Sequence, residues 1–137
     1  MTDWQNIATW RVLIVDDETA NREVFAEMLQ FFGAQVTMAA NGLEALDHAR
    51  QSPPTIILTD LAMPKMDGWQ MLRSLRADPK LRHIPVLAVT AAYTLPGDRE
   101  RVLEAGFDGY LVKPIEVASL ADVLRETVAK ARQRGAV

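Results

Sequence analysis

Five side chains of types that handle phosphate and hard metal ions stand at the ends of short apolar runs in this sequence. Asp16 and Asp17 follow Val12-Leu13-Ile14-Val15, and Asp60 comes just after Ile56-Ile57-Leu58. Thr90 closes Val86-Leu87-Ala88-Val89, and Lys113 follows Tyr110-Leu111-Val112. If the chain brings these ends together, three carboxylates, a hydroxyl and an ammonium share one crevice. Carboxylates about 4 Å apart repel by several kcal/mol at an effective dielectric near 20, so a proton or a cation must join them. Oxygen-only donors suit Mg²⁺, Mn²⁺ or Ca²⁺. Mg²⁺ commonly combines one or two protein carboxylates with phosphate oxygens. A Lys and a Thr beside such an ion can cover the remaining oxygens of a phosphoryl group. The set is thus suited to phosphoryl transfer onto a carboxylate.

Taken singly, each residue has an ordinary explanation. An Asp behind a strand is usually a turn former or a helix cap. A Thr there reflects β-propensity, a lone Lys is a solvated surface charge, and Lys113-Pro114 marks a turn. Their coincidence at the carboxyl ends of separate strands is what favours the functional reading.

That coincidence depends on the elements. The unbroken apolar runs read as parallel strands buried on both faces, with Val36 to Ala39 and Tyr110 to Val112 as weaker strands. Helical patterns lie between them. Val24, Phe25, Met28, Leu29 and Phe32 form an apolar stripe ending at Gly33. Asn41 with Glu44, and Asp67 with Gln70, have capping-box spacing. Gly97 to Ala105 predicts a short helix stopped by Gly106, and Val117 to Ala131 the clearest amphipathic helix. Five β-α alternations predict an α/β fold: a doubly wound parallel sheet with helices on both faces and its crevice at the carboxyl ends of the strands.

Composition narrows the classes further. The chain of 137 residues fits one domain, and 49% apolar residues exclude a disordered chain. The absence of cysteine excludes disulfides, Cys-ligated zinc and thiol catalysis. A net charge of −3 gives no basic face for nucleic acid. No apolar run approaches the roughly 20 residues that span a bilayer, and Met1-Thr2-Asp3-Trp4 is no secretory signal. A cytoplasmic protein without membrane or direct nucleic-acid contact is expected.

Several segments together resemble the response-regulator receiver domain, the CheY-like module of two-component phosphorelay signalling. They are Val12 to Asp17, Asp60-Leu61-Ala62-Met63-Pro64-Lys65-Met66-Asp67-Gly68, Thr90-Ala91, and Gly106 to Pro114. The resemblance covers roughly residues 10 to 132 and implies a flavodoxin-like five-stranded sheet of order 2-1-3-4-5 with five helices. It implies that Asp60 accepts a phosphoryl group from a sensor histidine kinase or a histidine phosphotransfer protein. It implies Mg²⁺ on Asp17, Asp60 and the Ala62 carbonyl, with Asp16 acting chiefly through bound water. Lys113, in a cis bond to Pro114, would pair with the phosphoryl group. Thr90 would sense it, and Tyr110 would be the switch aromatic. The donor protein would dock over Thr19, Ala20, Asn21, Val24, Pro114 and Ile115. Ala62 and Ala92 would flank the path of attacking water and hold none in place, giving slow to intermediate self-dephosphorylation.

The expected layout is an extension at residues 1–10, a stand-alone receiver at 11–134 and a tail at 135–137. Trp4 and Trp10 are expected to pack on the domain. The resemblance implies a signalling phosphoacceptor that catalyses only its own modification. A haloacid-dehalogenase-type phosphohydrolase would need a second Asp at position 62, where Ala62 stands. A flavodoxin would need a Ser/Thr/Gly-rich loop in place of Asp16-Asp17-Glu18, which repels phosphate. An interaction module without phosphorylation requires that the acidic cluster bind no metal.

Overall fold

The computed structural model describes residues 4–90 and 97–135. Its strands are β1 (Arg11–Val15), β2 (Gln35–Ala39), β3 (Ile56–Thr59), β4 (Val86–Thr90) and β5 (Gly109–Val112). Its helices are α1 (Thr19–Phe31), α2 (Gly42–Gln51), α3 (Gly68–Ala77), α4 (Asp98–Ala105) and α5 (Val117–Gly135). The strands form one parallel sheet in the order β2-β1-β3-β4-β5, as the alternation and the resemblance imply.

Burial follows position in the sheet. The central strands β3 and β4 are buried on both faces, which is why their sequences are continuous apolar runs. The edge strand β2 buries only Ala39 fully, so its sequence signal is weak. Alternate residues serve two cores. Leu13 and Val15 join Leu46, Ile57, Leu72, Leu75 and Val86 on one face. Val12 and Ile14 join Phe25, Leu29, Leu58, Leu120, Leu124 and Val128 on the other.

The residues before β1 are part of this second core. A 3₁₀ turn at Ile7–Thr9, capped by the Asn6 side chain, buries Ile7. Trp10 is fully buried, while Trp4 packs against the edge of the same cluster. The Arg132 guanidinium lies 4.9 Å from the Trp4 ring centroid, and Arg125 Nε donates to the Gln5 carbonyl at 3.1 Å. The segment is thereby fastened to the middle and the last turns of α5.

Helix boundaries follow their local chemistry. Asp67 and Gln70 make a reciprocal capping box at α3. Asn41 caps α2 by accepting from Glu44 N, while the Glu44 carboxylate turns back to the Asn41 amide. Gly97 and Gly106 bracket α4 at φ 87° and 112°, left-handed positions that glycine occupies without Cβ strain. The stripe on α1 is narrower than its sequence suggests. Phe25 and Leu29 are buried, but Val24 is 51% exposed on the outer flank. No described helix is long and apolar enough to cross a membrane.

Candidate functional site

Strand register places the acidic residues. Val15 pairs with Thr59, so the next residues, Asp16 and Asp60, leave β1 and β3 side by side. The pairing runs one step further: Asp60 N–H donates to the Val15 carbonyl at 2.9 Å, and Asp16 N–H to that of Ala39 at 3.1 Å. Asp16 is almost wholly buried, Asp60 is half-buried and Asp17 is exposed. One carboxylate oxygen from each lies within 4.8 Å of the others. Asp16 is held as an acceptor: its Oδ1 takes the Glu18 N–H at 2.9 Å, a local turn that aims the other oxygen inward.

Lys113 reaches this group from β5. Its backbone N–H donates to the Thr90 carbonyl, and its bond to Pro114 is cis. Its Nζ lies 3.3 Å from Asp16 Oδ2 and 3.9 Å from Asp60 Oδ2. One ammonium therefore serves two carboxylates, with the third nearby. Burial raises the Asp60 pKa above the ordinary carboxylate value. Lys113 opposes that rise, Asp16 adds to it, and the Leu61 and Ala62 backbone N–H groups again oppose it. The Leu61 N–H donates to Asp60 Oδ1 at 2.7 Å.

The loop that carries Ala62 is pinned at several points. Gly68 N–H donates to the Leu61 carbonyl, Met66 N–H to that of Pro64, and Gly42 N–H to that of Met66. Lys65 adopts φ 66° within this tight turn, an uncommon position for a residue with a side chain. A Cβ on Gly68 would stand 2.4 Å from the Asp60 carbonyl, so only glycine allows α3 to start so close to the strand end. The backbone after Asp60 is thus held firmly, whatever the side chain at position 62.

Thr90 ends β4 beside Lys113 and is buried; Tyr110 on β5 is partly buried against the core of the α2–α4 face. The fold therefore brings Asp16, Asp17, Asp60, Thr90 and Lys113 to the carboxyl ends of the strands. Thr19, Ala20, Val24 and Pro114 are exposed, and Asn21 and Ile115 are partly so. Ala91 and Ala92 lie outside the described residues.

The oxygen-only donor set matches the preferences of a hard divalent ion. Residues 12–125 match the family model described as "Response regulator receiver domain". The chain belongs to the response regulator receiver family. Among its relatives, the polar-differentiation response regulator DivK of Brucella anthropi is 39% identical over 114 residues, covering 83% of this chain and 92% of that one. The chemotaxis protein CheY4 of Vibrio cholerae superposes with a TM-score of 0.77 at 31% identity, covering 85% of this chain and 97% of the other. The receiver domain of a sensor histidine kinase from Pseudomonas aeruginosa has a TM-score of 0.78 at 36% identity, covering 88% and 98%. That structure carries a magnesium ion coordinated in its active-site cleft. Membership makes this receiver a phosphoacceptor module of signal transduction.

Sequence reasoning had no access to a second ionic cluster outside this crevice. Asp108 Oδ2 accepts from Arg76 at 2.9 Å, from Arg134 at 3.1 Å and from the Val86 N–H at 3.0 Å. Asp108 Oδ1 accepts from Arg134 Nε at 2.8 Å. Burial lowers the Arg76 pKa, and Asp108 opposes that. The three side chains are 26 to 58 residues apart in sequence, so no local pattern announces them.

Proposed function

We propose that the receiver accepts a phosphoryl group on Asp60 in a Mg²⁺-dependent reaction and thereby switches a partner protein. The observation that carries this reading is the meeting of Asp16, Asp17 and Asp60 with Lys113 at the strand ends. Asp16, Asp17, Asp60 and the Ala62 carbonyl are the groups that would hold the ion; Mn²⁺ or Ca²⁺ fits the same donors. A bound Mg²⁺ supplies positive charge between the carboxylates and the incoming phosphoryl oxygens.

The chain's own groups do the rest. An Asp60 oxygen forms the new bond to phosphorus as the bond from phosphorus to the donor's histidine nitrogen breaks, and the departing imidazole keeps that electron pair. Lys113, already within 3.9 Å of Asp60, pairs with the phosphoryl oxygens. Thr90 follows the new oxygen, and Tyr110 takes up the space it leaves. The group shifts this equilibrium only through its differential contacts, about 1.4 kcal/mol per tenfold change in population ratio.

The upstream partner is a sensor histidine kinase or a histidine phosphotransfer protein, docking over Thr19, Ala20, Asn21, Val24, Pro114 and Ile115. The exposure of Val24 supports this face, because an apolar side chain on the outer flank of α1 contributes little to the core.

Mass spectrometry after incubation with acetyl phosphate tests the proposal. A single phosphoryl adduct is expected with Mg²⁺, none with chelator, and none in Asp60→Asn. Persistence of the adduct in that variant would relocate the acceptor.

A further inference from the structure

At the opposite end of the strands, around the amino ends of β1, β3 and β4, lies a cavity of about 350 Å³. Its wall includes Trp4, Arg11, His83 and Arg132, with Pro53 and Pro85 supplying apolar surface. Among the described residues its wall contains no carboxylate, although the chain carries a net charge of −3.

Among the described residues, no acid neutralises the two guanidiniums. Arg11 donates to the Ser52 hydroxyl and the Pro53 carbonyl, neutral acceptors that fix its position without cancelling its charge. Arg132 lies over the Trp4 ring. Neither forms an ion pair among the described residues. Guanidinium forks match phosphate and carboxylate oxygens, and a Trp–Arg pair beside proline rings suits a planar apolar body. The volume falls at the low end of the range for small-molecule sites, roughly 300 to 1,000 Å³.

Part of the cavity wall stands outside the stretch that matches the family. The family match spans residues 12–125, whereas Trp4, Arg11 and Arg132 lie outside it. The phosphoacceptor chemistry uses the other ends of the same strands and leaves these residues without a role.

The geometry points to a second ligand site here, for a small organic anion that joins a phosphate to a planar ring, of the size of a nucleoside monophosphate. The phosphate would lie between Arg11 and Arg132, with His83 as a further donor, and the ring against Trp4 and the prolines.

Titration of the ¹⁵N-labelled full chain with adenosine and guanosine 5′-monophosphates tests this, read at the Trp4 indole N–H. A saturable shift with Kd below about 1 mM is expected for at least one of them. Arg132→Gln should weaken it about tenfold and Trp4→Leu should abolish it, with unchanged dispersion elsewhere showing that both variants fold. Asp60→Asn should bind as the wild type does, which separates this site from the acceptor. Inorganic phosphate shifting the signal equally well would mean an adventitious ion only. Equal binding of unphosphorylated adenosine, or no saturable shift with either nucleotide, would likewise overturn the proposal.

Discussion

Asp60→Asn should make the metal-free protein more stable. The Asp60 carboxylate shares a space of 4.8 Å with those of Asp16 and Asp17. At that separation each like-charge pair costs between about 1 and 3.5 kcal/mol for effective dielectrics of 80 and 20. Lys113, at 3.9 Å, returns about 1 to 4 kcal/mol on the same scale. The attraction therefore offsets roughly one of the two repulsions, and the burial cost is left over. Asparagine removes the charge and keeps an oxygen for the Leu61 N–H. The expected gain is on the order of 1 kcal/mol near neutral pH. The sign with pH follows from the raised Asp60 pKa. The folded state favours the protonated carboxyl, so its contribution is full below the unfolded value and is lost as pH rises through the folded one. The wild type should accordingly close the gap as the solution is acidified from neutrality into the carboxylate range. Mg²⁺ should close it too, because ion at ten times its Kd adds about 1.4 kcal/mol to the wild type alone. Urea titrations with chelator and with Mg²⁺ measure both effects. A variant equal to or less stable than wild type in chelator would refute the electrostatic account of the site.

Other outcomes follow from the same geometry. Lys113→Met should bind Mg²⁺ more tightly than wild type, since it removes a competing cation, yet lose most phosphorylation by acetyl phosphate; calorimetry and mass spectrometry read the two. Asp108→Ala should cost about 3 to 5 kcal/mol by leaving two arginine charges without their carboxylate, as seen in urea midpoints. Beryllofluoride with Mg²⁺ should shift the amide signals around Thr90 and Tyr110, and unchanged spectra would remove the switch. An Ala62→Asn, Ala92→Glu double variant should lose its acyl phosphate faster than wild type, because both new side chains can hold a water; equal decay rates would show that these positions do not set the lifetime.

The legible parts of the sequence were those in which one residue type answers to one local requirement. Buried central strands must be apolar on both faces, so β1, β3 and β4 stand out as unbroken runs. Capped helices show their Asn41 and Asp67. The polar crevice was readable because strand ends in a parallel sheet converge, and polar residues behind apolar runs mark those ends. What stayed hidden depends on tertiary pairing. Val24 has the spacing of a core residue, but a helix flank is apolar for docking or for packing with the same periodicity. The 3₁₀ turn at Ile7–Thr9 is too short to show a period. Asp108 belongs to the receiver signature, but it lies in the turn before β5 and its partners Arg76 and Arg134 come from the last turns of α3 and α5.

The fastenings of α5 are unevenly distributed. Thr127 nests where Gly109 has no side chain; a Cβ there would come within 2.3 Å of its hydroxyl. Arg125, Arg132 and Arg134 hold Gln5, Trp4 and Asp108. These polar fastenings lie from the middle of the helix onward, and Leu120 and Leu124 bury its earlier turns, whereas Val117, Ala118 and Ser119 at its start are exposed. In mechanical terms α5 is a beam anchored from Leu120 to Arg134, with a short overhang at residues 117 to 119 as its tip, on the side toward Lys113. A load applied near Pro114 or Ile115 would bend the tip before it moved the root. A reporter fused beyond Gly135 would sit on a stiff stub and register little of what happens at Asp60, whereas a probe at Ser119 would sit where the deflection is largest.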